Sequence, residues 1–199
     1  MGSGQIYLVN VASGKSELLA TGYQALDYEA AGVYAIPDRR SGNKPGLFLI
    51  TVPSGTVTTL TDQGYYTVAD ESAAYGNDAP AYPQGVPNRV ISYEYRSRAV
   101  TTVVESAPGR QLITIIGFDG SGHPVVTSNQ AVHLLYGPND LRAIATGVSV
   151  QSLFADSHGL WMSGYVQSYN GGAAYLFLYA GGVLQVVSSV TGIIAGGCA

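Results

Sequence analysis

Residues 47–60 read LFLITVPSGTVTTL, and residues 6–19 read IYLVNVASGKSELL. Each is an apolar run, a short turn ending in Ser-Gly, and a second run. The same unit recurs along the chain. Its turns are Ser13-Gly14, Ser54-Gly55, Ser97-Arg98, Asn139-Asp140 and Gly181-Gly182. The second turn positions, 14, 55, 98, 140 and 182, stand 41, 43, 42 and 42 residues apart. Apolar strands precede the turns (IYLVNV, LFLITV, RVISYEY, AVHLLY, AYLFLY), and others follow them (KSELLA, TVTTLT, AVTTVVE, LRAIAT, VLQVVS). Self-similarity at a fixed step marks a repeat architecture and outranks any local reading.

After each hairpin a glycine marks a break: Gly22, Gly64, Gly109, Gly147 and Gly192. A weaker strand pair around an acidic turn follows, in YQALDYEAAGVYAIP, YYTVADESAAYGND, QLITIIGFDGSGHPVVTS and VQSLFADSHGLWMSGYV. These turns are expected to carry Asp27, Asp70, Asp119 and Asp156, since Asp bonds its own backbone and Gly accepts positive φ. Pro and Gly recur too often for helices. Four short strands in about 42 residues match one β-propeller blade. The expected fold is therefore all-β, a β-propeller of four-stranded antiparallel blades, roughly five of them.

With strands lettered A to D outward from the central channel, the C–D hairpins fall at about 5–21, 46–61, 88–105, 130–146 and 173–189. The A–B pairs fall at about 23–37, 64–76, 110–128 and 149–166. LFLIT and YLFLY are near-continuous apolar runs, as strands covered on both faces should be. TVTTLT alternates with small polar residues, as a half-solvated outer strand should.

The succession of A strand, Asp turn, Gly-aromatic B strand and C–Ser-Gly–D hairpin resembles the bacterial TolB-like and WD40-like β-propeller repeat proteins. The residues that carry the resemblance are ALDYEAAGVYAIP, LFADSHGLWMSG, IYLVNVASGKSELLATG and LFLITVPSGTVTTLT. It covers nearly the whole chain and implies architecture, not activity. The Trp-Asp ending of WD40 blades is missing. DSHGLW is similar to a sialidase-type Asp box but sits in an A–B turn.

Five C–D hairpins stand against four A–B pairs. The chain opens on a C strand, and residues 190–199, VTGIIAGGCA, read as part of one more A strand. Either the chain closes as five blades or it is part of a longer propeller, and the second is the expectation. The leading MGSG reads as a leader or a cut edge. An open arc would expose blade faces and strand edges, and would self-associate or take a strand from a partner.

Composition narrows the function classes. Of 199 residues 46% are hydrophobic and 11% charged, well under the usual quarter or so. Lys15 and Lys44 are the only lysines and the net charge is −4. No basic stripe exists to neutralise phosphates, so nucleic acid is not an expected partner. No apolar run is long enough for a helical membrane span. The single cysteine, Cys198, excludes an internal disulfide and a Cys-based zinc site.

Asp156, Ser157 and His158 are the residue types of nucleophilic catalysis. Neighbours on one turn rarely build a triad, and ADSHG occupies an A–B turn slot. His133 lies in an apolar C strand and reads as a packed histidine. FDGSGH at 118–123 has one acid, too few for a calcium loop. No carboxylate pair stands out for glycoside hydrolysis. No catalytic residue, metal site or cofactor is therefore expected. The B–C connections are long and irregular: DRRSGNKP at 38–45, NDAPAYPQGVPN at 77–88 and QSYNGG at 167–172. The D–A connections add Tyr23, Tyr65 and Tyr66. Variable loops on a regular scaffold carry function, and Tyr, Asn and Gly make adaptable contact surface. The expected ligand-binding residues are Arg39, Arg40, Tyr65, Tyr66, Tyr82 and Tyr169. The expected role is a non-enzymatic binding or scaffold module for a protein or glycan, placed outside the cytoplasm because Lys is scarce while Tyr, Gly, Ser and Thr abound. Two alternatives stay open. One is a lyase or glycoside hydrolase with its site at the channel mouth; the other is a structural subunit that assembles through open blade edges.

Overall fold

The computed structural model describes residues 4–38, 44–79, 89–106, 113–128, 131–166 and 173–189. They form strands and turns, with no helix among them. β1 (Gln5–Val9) and β2 (Ser16–Thr21) make a two-stranded sheet. Four four-stranded meanders follow. The first contains β3 (Tyr23–Glu29), β4 (Gly32–Pro37), β5 (Leu47–Ile50) and β6 (Val57–Thr61). The second contains β7 (Tyr65–Ala69), β8 (Ala73–Asn77), β9 (Arg89–Glu94) and β10 (Val100–Glu105). The third contains β11 (Ile113–Phe118), β12 (Pro124–Ser128), β13 (Ala131–Leu135) and β14 (Leu141–Thr146). The fourth contains β15 (Val148–Asp156), β16 (Gly159–Val166), β17 (Ala173–Ala180) and β18 (Val183–Ser189). Residues 190–199, read above as a further A strand, lie outside the described residues.

The repeated Ser-Gly has a local cause. In the first three C–D turns the N–H of Gly14, Gly55 and Arg98 donates to the carbonyl of Asn10, Thr51 and Glu94, each at 2.8 Å. The hydroxyl oxygens of Ser13, Ser54 and Ser97 accept from the N–H two residues on, at 3.4, 3.3 and 3.3 Å. The residue after each serine then takes positive φ: 66° at Gly14, 69° at Gly55 and 57° at Arg98. Glycine does so without Cβ strain. The fourth turn is tighter and puts Asn139 at φ 61°. The fifth is a two-residue Gly181-Gly182 hairpin with both φ positive, the primed geometry that matches strand twist.

Three acidic turns are braced as their sequences suggest. Asp70 Oδ1 accepts from the N–H groups of Ser72 and Ala73. Asp119 Oδ1 accepts from those of Ser121 and His123, and Asp156 Oδ1 from that of His158. Asp27 departs from the pattern. It lies inside β3, paired with Tyr34, and the turn itself is Ala30-Ala31. Gly32 follows Asp27 by five positions, whereas Gly159 follows Asp156 by three, and the longer step leaves Asp27 in the strand.

Each described A–B pair carries a bulge in its A strand: between Ala25 and Asp27, Tyr66 and Val68, Ile115 and Gly117, and Val150 and Ser152. The β1–β2, β5–β6, β13–β14 and β17–β18 hairpins are also irregular, with the extra residue in the D strand. An extra residue raises local twist and bends the strand.

Contacts divide the chain into two compact units, Met1–Pro83 with Ile91–Thr101 and Gln84–Val90 with Thr102–Ala199. In the first, Ile6 packs with Val33, Ala35 and Ile50. A second cluster there joins Tyr34, Ile36, Leu47, Tyr66, Ala74, Ile91 and Tyr93. In the other unit, Val125, Val132 and Leu134 pack with Leu160, Met162 and Phe177. Inner strands β4 and β9 are buried along most of their length, while outer strands β2 and β6 are largely exposed.

Candidate functional site

Each four-stranded sheet presents two kinds of end. One carries the A–B and C–D turns; the other carries the B–C and D–A connections. The turn end is occupied with itself. Asp119 Oδ2 faces His123 Nδ1 at 3.1 Å, and the His123 ring meets Tyr136 at 4.4 Å. Arg142 lies 4.2 Å over Tyr136 and forks onto the two oxygens of Asp140. In the next meander Asp156 Oδ2 faces His158 Nδ1 at 3.2 Å, and the Trp161 indole N–H donates to Asp156 Oδ1 at 3.0 Å. Asp156 and His158 thus brace a turn and do not present a nucleophile with its base. No group of three or more His, Cys, Asp or Glu that could hold a metal ion occurs among the described residues.

The brace has a titration signature. Burial alone would raise the Asp156 carboxyl, but the His158 N–H, the Trp161 indole and the His158 ring outweigh it and hold it below the ordinary 3.8. A depressed carboxyl adds stability that is complete above the ordinary value and fades as pH falls through the lower folded one. An NMR titration should put the Asp156 midpoint below 3.8, and Trp161→Phe should move it upward. A native midpoint at or above 3.8 would contradict the brace.

The loop end is tied at its roots. Gly22 N donates to Gly4 O at 2.7 Å and Asp38 N to Gly22 O at 2.9 Å, while Gly4 N donates to the Asp38 carboxylate. Gly46 N donates to Gly64 O at 2.8 Å. Asp38, directly after β4, and Asn77, the last residue of β8, are buried polar residues at this end. Tyr23 meets Phe48 edge to face at 5.1 Å.

Arg39, Arg40, Tyr82 and Tyr169 lie outside the described residues. Tyr65 and Tyr66 are consecutive on β7, and consecutive strand residues point to opposite faces. Tyr65 is half-buried opposite Asn77. Tyr66 is 2% exposed and belongs to the core. Burial, with a smaller push from Tyr93, raises its phenol to about 12. Sequence reasoning also misses a cleft of about 310 Å³ in the first unit, lined by Ile6, Leu8, Leu19, Leu26, Val33 and Val52 among others. Its walls come from separate strands, and no single motif encodes it.

No family model matches the sequence, and no curated protein matches it. Solved structures do. An oligogalacturonate lyase in complex with manganese superposes with a TM-score of 0.66 at 10% identity, over 94% of this chain and 59% of that one. TolB from Acinetobacter baumannii gives 0.61 at 9% identity, over 94% and 49%. An oligogalacturonate lyase from Vibrio parahaemolyticus gives 0.56 at 11%, over 93% and 58%. The chain thus spans from about half to about three-fifths of the length of these structures. At such identities the likeness shows the fold alone. TolB and oligogalacturonate lyase are both β-propellers. This chain has the same architecture: a β-propeller fold of four-stranded antiparallel blades, with about five blades' worth of chain.

Proposed function

We propose that this chain is a non-enzymatic binding or scaffold module, acting outside the cytoplasm, that recognises a protein or glycan through its loop end. One observation carries the reading. The loop roots of the first unit are held by cross-ties at Gly4, Gly22, Asp38, Gly46 and Gly64, while Asp70, Asp119 and Asp156 at the turn end are engaged in their own turns. Rigid roots under variable loops suit recognition. Arg39, Arg40, Tyr65, Tyr82 and Tyr169 supply contacts, while Tyr66 belongs to the core. Alanine at Tyr82 or Tyr169 should weaken ligand binding by roughly tenfold, about 1.4 kcal/mol. Calorimetry against a glycan and peptide panel measures it, and unchanged affinity in both variants removes this placement.

The fold neighbours favour one enzymatic alternative, a lyase acting on oligogalacturonate. Incubation with oligogalacturonate, with and without manganese, separates the readings, because unsaturated uronate would refute the non-enzymatic role. A self-assembling role draws on the β1–β2 hairpin. Among the described residues β1 pairs only with β2, and Tyr7, Val9 and Leu18 are exposed. A compact monomer in light scattering at every concentration removes that role.

A further inference from the structure

The facing surfaces of the β3–β6 and β7–β10 sheets are lined with tyrosine. Tyr34 and Tyr95 stack with ring centroids 3.8 Å apart, and Tyr93 meets Tyr95 at 6.5 Å. Tyr66 and Tyr93 are 2% and 1% exposed. Four polar atoms here are buried without a hydrogen-bond partner among the described residues: the hydroxyls of Tyr66, Tyr93 and Tyr95, and Oδ2 of Asp27. The other Asp27 oxygen accepts from Tyr28 N–H. The groups lie within electrostatic reach of one another. After burial itself, Tyr93 acts on Tyr66, Asp27 acts on Tyr95, and Glu29, Tyr93 and Asp27 act on Tyr34. Buried polar atoms in native proteins are almost always paired, with protein or with ordered water.

We propose that this tyrosine seam is a binding site for ordered water, held by Tyr66, Tyr93, Tyr95 and Asp27. Hydrogen-bond chemistry selects the occupant. A phenol at neutral pH has a proton to give and needs an acceptor. A carboxylate oxygen accepts only. A cation would satisfy Asp27 but leave three hydroxyl protons without an acceptor. An apolar ligand would satisfy none of the four. Water accepts from phenols and donates to the carboxylate, and it makes two to four such bonds in buried sites. The site departs from the Val-, Leu- and Met-lined cluster of the other unit, which contributes no such hydroxyl.

The test uses the full chain. Water-selected cross-relaxation spectra should show contacts from bound water to the phenol protons of Tyr66, Tyr93 and Tyr95. Tyr66→Phe, Tyr93→Phe and Tyr95→Phe should each lower the thermal midpoint by about 2–4 °C, the shift for one lost hydrogen bond in a chain of this size. The sign is decisive. If no water is bound, removing a buried unsatisfied hydroxyl raises the midpoint, and a rise in any variant overturns the proposal. A midpoint of the native chain that climbs with potassium at fixed ionic strength assigns the site to a cation and also overturns it. Where a variant does not fold, the native spectra decide, and the absence of water contacts at all three phenols refutes the site.

Discussion

Gly76→Ala should lower stability by roughly 3 kcal/mol, at the upper end for overpacking. In a chain of this size the unfolding midpoint should fall by roughly 6–12 °C. A Cβ on Gly76 would stand 2.1 Å from Tyr65 O and 2.5 Å from Tyr66 Cα. Both are backbone atoms of β7, beside the bulge between Tyr66 and Val68, and no rotamer change moves them away. Gly164 on β16 repeats the arrangement, with Ser149 O at 2.4 Å and Val150 Cα at 3.0 Å beside the bulge that follows Val150. Gly137→Ala is the control. It has open space around it and no positive φ, so its effect should stay within about 0.5 kcal/mol. Thermal unfolding of Gly76→Ala, Gly164→Ala and Gly137→Ala measures this. Equal midpoints for Gly76→Ala and Gly137→Ala would show that the bulged strand can retreat.

Phe177→Ala should cost about 3–5 kcal/mol, the range for emptying a buried aromatic site. Phe177 is 2% exposed on β17, between Met162 on β16 and Val186 on β18, with the Tyr175 ring at 5.9 Å. It belongs to the cluster that holds the β15–β18 sheet against Val125, Val132 and Leu134. Val187→Ala, at the bulged and exposed position of β18, should change stability by no more than about 0.5 kcal/mol. Denaturant unfolding gives both values, and amide exchange should show lost protection in β12, β13, β16 and β17. A cost below about 1 kcal/mol for Phe177→Ala would mean that the cluster closes over the gap.

Much of the fold is legible in the chain because its signals are local. The serine hydroxyl that braces a C–D turn and the residue that takes positive φ are neighbours, so Ser13-Gly14 and Ser54-Gly55 announce the turn before any partner strand is known. Asp70, Asp119 and Asp156 cap turns within four residues of themselves, and spacing alone placed them. Asp27 looked equivalent and is not, because its turn uses Ala30-Ala31 and leaves the carboxylate on a strand face among tyrosines. The sequence marks both Tyr65 and Tyr66 as expected ligand contacts. Strand alternation separates them and commits Tyr66 to the core.

The sequence by itself determined the repeat, the four strands in each repeat and the chemistry of the turns, because the step, the apolar runs and the turn residues are all written along the chain. Only the tertiary structure decided which strands bulge, why Gly76 has no room for a side chain, and which polar groups meet in the tyrosine seam. A bulge is an extra residue relative to a partner strand, and the space beside a glycine is set by a strand folded back against it. Neither quantity exists until the strands have paired.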